Sequence, residues 1–155
     1  MSGNAYAYQV QLLRTSISTA ITVAQVKAFT NASIDITDIS ATMNASATSA
    51  QEVIELVRKS AAASVNASTV FQRNTGDPAP QAAASSSSNG TNASAEGTDT
   101  DVIDLWGFNV LNGIAWIYIP ELRIHLQTSG IIGLKFPVAP AANTFSFKIG
   151  FLENR

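Results

Sequence analysis

The chain has 155 residues, nine Lys+Arg against eleven Asp+Glu, a formal net charge of −2 and only 13% charged residues, about half the usual share for a soluble domain. It has no cysteine and one histidine, which excludes thiol nucleophiles, disulfides, cysteine-bound zinc, iron–sulfur clusters and a multi-histidine metal site within one chain. The charge balance argues against a basic nucleic-acid surface, and no run approaches the ~20 apolar residues of a membrane span.

Ala5 to Leu13 alternates, with Tyr6, Tyr8, Val10 and Leu12 on one face, and predicts a half-buried strand. Ile21 to Phe29 predicts a second. Ile34 to Met43 starts as Ile34/Ile36 and slips to Ile39/Ala41/Met43, a one-residue shift that predicts a β-bulge. Gln51 to Ser60 fits a helix, because Ser49 and Glu52 have capping-box spacing, or a strand. The strand is the reading its neighbours favour. Ser64 to Arg73 predicts another strand.

From Gln72 to Asp101 there is no Val, Ile, Leu, Met, Phe, Trp or Tyr, and from Pro78 to Ala95 no charge. Such a stretch cannot build its own core. Extended, it would span ~100 Å at about 3.3 Å per residue. It reads either as an arm laid on a neighbouring subunit, offering Pro78, Pro80 and Gln81 as contacts, or as a solvated linker.

Val102 to Leu111 and Ile114 to Ile119 flank Asn112-Gly113, a two-residue hairpin signal. Ile114, Trp116 and Tyr118 share one face of the second strand. Both of its faces are apolar, as in a buried central strand. Pro120-Glu121 ends it. Arg123 to Gln127 alternates, Thr128-Ser129-Gly130 turns, Ile131 to Phe136 is a strand, and Pro137 to Asn143 is a loop. Thr144 to Leu152 sets Phe145, Phe147, Ile149 and Phe151 on one face. Eight or nine short strands at this spacing predict a single all-β domain over 1–155, an antiparallel β-sandwich of jelly-roll type with the 72–101 stretch as a long Ala/Ser-rich arm or loop.

The chemistry-bearing residues are few. His125 sits on a polar strand face between Arg123 and Gln127 and predicts a surface or hydrogen-bonded histidine; repeated about a symmetry axis it would form a subunit contact. Asp99, Asp101 and Asp104 lack EF-hand spacing. Glu52, Glu55, Arg58 and Lys59 predict a solvated or interfacial charge strip. The five Asn-x-Ser/Thr triplets, at Asn31, Asn44, Asn66, Asn89 and Asn92, predict turn closures. Met1 to Leu13 does not read as a signal peptide, so the expectation is a protein made in a cytosol. These residues point to no enzyme, cofactor or metal. Over a third of the chain is Ala, Ser or Thr, and its low charge fits large surfaces buried in an assembly.

Four stretches carry a resemblance: SAQEVIELVRKSAAA, the GDPAPQAAA…SAEGTDTDV arm, FNVLNGIAWIYIPELRI and SGIIGLKFPVAPAANTFSFKIGFLE. Together they resemble small tailed-phage and prophage proteins of the capsid decoration, or cement, type, over Ser49 to Glu153. The chain departs from them in carrying few charges near Pro120-Glu121. The resemblance implies a β-sandwich subunit, a homotrimer, on the capsid exterior of a virion, clamping the capsomers of a major capsid protein, with no nucleic-acid or membrane partner. Trp116, Tyr118 and His125 join Pro78, Pro80 and Gln81 as candidate partner-binding residues. The alternative is a phage tail component, a tail tube subunit or a receptor-binding domain.

Overall fold

The computed structural model describes residues 4–44, 48–64, 66–86, 93–141 and 143–155. Twelve strands occur among them: β1 Ala5–Ile17, β2 Thr22–Lys27, β3 Ser33–Asn44, β4 Gln51–Ala61, β5 Asn66–Ser68, β6 Val70–Gln72, β7 Ala83–Ser86, β8 Thr98–Asn109, β9 Ile114–Ile117, β10 Ile124–Leu126, β11 Ile131–Lys135 and β12 Asn143–Asn154. One 3₁₀ turn, Pro120–Leu122, lies between β9 and β10. No helix among the described residues is long and apolar enough to cross a membrane.

The strands form two six-stranded antiparallel sheets. Sheet A runs β10-β3-β12-β1-β6 with β9 also on β3, and sheet B runs β5-β7-β2-β11-β4-β8. The pairing is nested: β1 with β12, β2 with β11, β3 with β9 and β10, β4 with β8.

Alternation places the core between the layers. Phe145, Phe147, Ile149 and Phe151 of β12 point inward and are buried, together with Tyr8, Val10 and Leu12 of β1, Ile54 and Leu56 of β4, and Ile132, Leu134 and Phe136 in and after β11. Phe136 lies 5.1 Å from Phe145 and 5.9 Å from Phe147, ring centre to ring centre. Such tilted aromatic contacts add to the gain from burial alone.

The slip read in Ile34–Met43 is a bulge. The ladder to β12 passes from Gly150↔Asp38 to Phe151↔Ile36, leaving Thr37 as the extra residue. The 51–60 segment is strand. The turns at 112–113 and 128–130 are present, and Gly113 and Ser129 adopt positive φ.

Three expectations need correction. Ser64 to Arg73 is two short strands in different sheets, with β5 on β7 and β6 on β1. Asn112-Gly113 turns the chain, but it joins β8 of sheet B to β9 of sheet A and is no hairpin. A turn motif encodes local reversal and not which partner each strand finds. The apolar run 114–119 is an edge strand, with Ile117 76% and Ile119 56% exposed. Continuous apolarity marks a surface to be covered as well as a covered one.

Of the 72–101 stretch, expected as a long arm or loop, the described parts lie on their own sandwich. The segment leaves β6 on the β1 edge of sheet A, crosses to the other layer, and enters β7 on the β2 edge of sheet B. Tyr8 donates its hydroxyl to Pro78 O at 2.7 Å. Glu153, fully buried, accepts the Gln81 and Ala82 backbone N–H groups at 3.0 and 2.6 Å. Small side chains suit an edge-capping strand that brings no apolar bulk of its own, and covering an edge removes its free backbone groups from competing strands. Residues 93–97 return over the outer face of sheet B through Ser64 N–H to Ala95 O and Ser94 N–H to Ser64 O. Of the Asn-x-Ser/Thr triplets, Asn31 lies in a turn, Asn44 ends β3 and Asn66 begins a strand, so Asn66 closes no turn; Asn89 and Asn92 lie outside the described residues.

Candidate interaction surface

The insertion between β4 and β8 covers one side of the sandwich and leaves the other open. There the ends of the two sheets, β8 and the β9–β10 pair, come together. Trp106 of β8 and Trp116 of β9 meet across the gap at 6.3 Å, and the Tyr118 hydroxyl donates to the Asp104 carboxylate. Burial, then the hydrogen bond to Asp104, pushes the Tyr118 phenol well above its ordinary range. Leu105 of β8, Trp116 of β9, and Ile119 and Leu122 beyond it are exposed, from 48% at Trp116 to 66% at Leu122, while Ile117, 76% exposed, lies opposite Asp38 and faces the outer side of sheet A. Large apolar side chains exposed at these sheet ends suit contact with another protein.

The sequence candidates divide between the two sides. Trp116 belongs to the open seam. Tyr118 is there too, but it is buried and holds Asp104. His125 lies on β10 at the same sheet end, its Nδ1 2.6 Å from Asp35 Oδ1. Asn154 donates to the other Asp35 oxygen at 2.9 Å. The His125 side chain is 55% exposed, as its polar face foretold. Pro78, Pro80 and Gln81 lie on the covered side, where Pro78 O and Gln81 N–H bond within the chain.

The carboxylates at 99, 101 and 104 diverge. Asp99 binds Lys59 at 2.5 Å and Lys135 at 2.6 Å, Asp101 faces Arg58 at 3.5 Å, and Asp104 holds Tyr118. No group of three or more His, Asp or Glu among the described residues is placed to hold a metal ion. The expected charge strip on β4 is likewise divided. The Lys59 side chain is fully buried under the returning 93–97 segment, donating to Glu96 O at 2.9 Å as well as to Asp99, whereas Glu52 accepts the Ala141 N–H. Burial would raise the Asp99 carboxyl, but the hydrogen bonds from Lys135 and Lys59 outweigh it and hold it below its usual value. The same pairing raises Lys135.

The outer face of sheet A carries a second charged group, centred on Asp38, whose basic partners the sequence reading missed. The bulge at Thr37 aims Asp38 outward, where Arg73 grips both carboxylate oxygens at 2.8 and 2.7 Å and Lys148 approaches to 2.9 Å. Burial works against ionisation of Asp38, yet the hydrogen bonds from Lys148, Thr37 and Arg73 keep its carboxyl low. The three residues lie 35 to 110 positions apart, so only the slip at Ile36/Ile39 hinted at anything there.

Compared with known proteins, the chain matches no family model and no curated protein.

Proposed function

We propose that this protein is a structural subunit of a tailed-phage virion, a capsid decoration protein that binds the outer shell, associates as a homotrimer and clamps neighbouring capsomers of the major capsid protein. The observation that carries this reading is the contrast between the two sides of the sandwich. On one, the chain's own insertion pairs with the edge strands β1 and β2. On the other, the end strands of both sheets have no further strand beside them and carry exposed large apolar side chains such as Leu105 and Trp116. An uncovered edge of this kind invites aggregation in a lone subunit and stabilises a protein contact in an assembly.

The nested strand pairing supports a jelly-roll sandwich, a double-sheet design that recurs in capsid proteins. The stretches from Ser49 to Glu153 that resemble cement proteins support the capsid exterior as its place. Each subunit's contact is small, and attachment then gains strength from several contacts acting together.

Leu105 and Leu122 are the best test positions, because they are 58% and 66% exposed and contribute little to the core. Replacing both by serine is expected to leave the thermal unfolding of the isolated chain unchanged. The same change should weaken trimerisation or attachment to shells lacking the protein by about tenfold or more, measured by sedimentation and particle pull-down. Unchanged association and attachment would count against the open side as the contact.

A further inference from the structure

Above the Asp38 cluster, the outer face of sheet A forms an open groove of about 490 Å³. Its walls bring Arg73, Lys148 and Arg123 around one carboxylate, Asp38. Three cations face one anion, a local charge of +2 on a chain whose formal net charge is −2. Arg73 and Lys148 share Asp38, as described. Arg123 differs: its Nε is buried and has no hydrogen-bond acceptor among the described residues. A buried donor left unpaired is unfavourable and rare in folded proteins.

The site is built into the fold. The bulge leaves Thr37 over and turns Asp38 outward opposite Gly150. A Cβ at Gly150 would fall 2.1 Å from Arg73 Nη2 and 2.2 Å from Asp38 Oδ2, so a side chain there would shift the pair. Ile39, Ile117 and Leu152 supply apolar wall beside the cations.

We propose that this groove is an anion site whose ligand is a carboxylate carried on an apolar body. Arg123 supplies the missing contact through its guanidinium, and Arg73 and Lys148 add charge. A planar carboxylate can accept two parallel N–H bonds from one guanidinium, and the apolar wall packs the carbon chain behind it. The carboxylate can come from a free organic acid or from an acidic side chain of a partner protein. The site does not rest on the virion reading, and it stands or falls without a particle.

The test follows the arginine Nε–H resonances of the full chain by NMR while propionate, the peptide acetyl-Val-Glu-Val-amide or inorganic phosphate is added at constant ionic strength. Saturable movement of the Arg123 signal with the carboxylates, at lower concentration than with phosphate, is the expected result. Equal response to propionate and peptide assigns a free acid; about tenfold tighter peptide binding assigns a protein side chain. Arg123→Gln and Arg123→Lys are both expected to keep the wild-type circular dichroism and unfolding curve. Glutamine should weaken carboxylate binding about tenfold, and lysine less, since it keeps the charge but loses the fork. No saturable shift, tighter binding of phosphate, or wild-type affinity in Arg123→Gln would overturn the proposal.

Discussion

Asp38 owes its place on the outer face to one extra residue in β3 and to one missing side chain in β12. The bulge at Thr37 turns the carboxylate out of the core side, and Gly150 leaves space for Arg73 to close over it. Gly150→Ala must push the pair apart and is expected to cost about 1–3 kcal/mol, the range for losing hydrogen bonds to a charged group, read from urea unfolding at neutral pH. The same carboxylates set the acid limit of stability. Asp38 and Asp99 are held below their ordinary value in the folded chain, so the folded state binds fewer protons than the unfolded one near an unfolded pKa of about 3.9. Their contribution is present above that value and is lost as the pH falls through the depressed folded values. Lys135 and Tyr118 are raised, so their contribution is present below about 10 and is lost as pH rises through the folded values. Unfolding measured across pH should therefore fall at both ends. Asp99→Asn should flatten the acid limb and Tyr118→Phe the alkaline one. Limbs unmoved by these variants would contradict the assignment.

The insertion between β4 and β8 acts as an edge cap, and its fastening point is Glu153. That carboxylate is fully buried, accepts two backbone N–H groups from 81 and 82, and pairs with Arg155 at 2.5 Å. Glu153→Ala leaves those donors without an acceptor and is expected to destabilise the chain by about 3–5 kcal/mol, as for breaking a buried pair. Hydrogen exchange at Gln81 and Ala82 should speed up more than at β12 core amides such as Ile149. Equal change everywhere would mean that Glu153 does not hold the cap locally. The sequence showed the strands where alternation was strong, as in 144–152, and even the bulge, because a period of two makes a one-residue slip visible. It could not show the cap. Ala82 to Ser86 has no alternation, and the covering of β1 and β2 depends on backbone groups that every residue carries. The cluster at Asp38 was hidden for a related reason: Lys148 comes from the neighbouring strand β12 and Arg73 reaches over β12 and β1 from the end of β6, and nothing local marks either as its partner.

At the scale of the whole molecule, the sandwich is closed by itself on one side and open on the other. Trp116 stood out in the sequence because it is large and apolar, but the same run read as a central strand. Period alone does not tell a buried apolar face from one waiting for a partner. Pro78, Pro80 and Gln81 drew attention through composition, and the Pro78 carbonyl and Gln81 N–H are hydrogen-bonded within the chain. If the open side docks on a virion shell, quantitative mass spectrometry of purified virions against the major shell protein should count hundreds of copies per particle in fixed ratio to that protein, about what a capsomer-wide trimer would supply. A few to some dozens of copies would place the protein in the tail, and absence from particles would remove it from the virion; either result would contradict this docking.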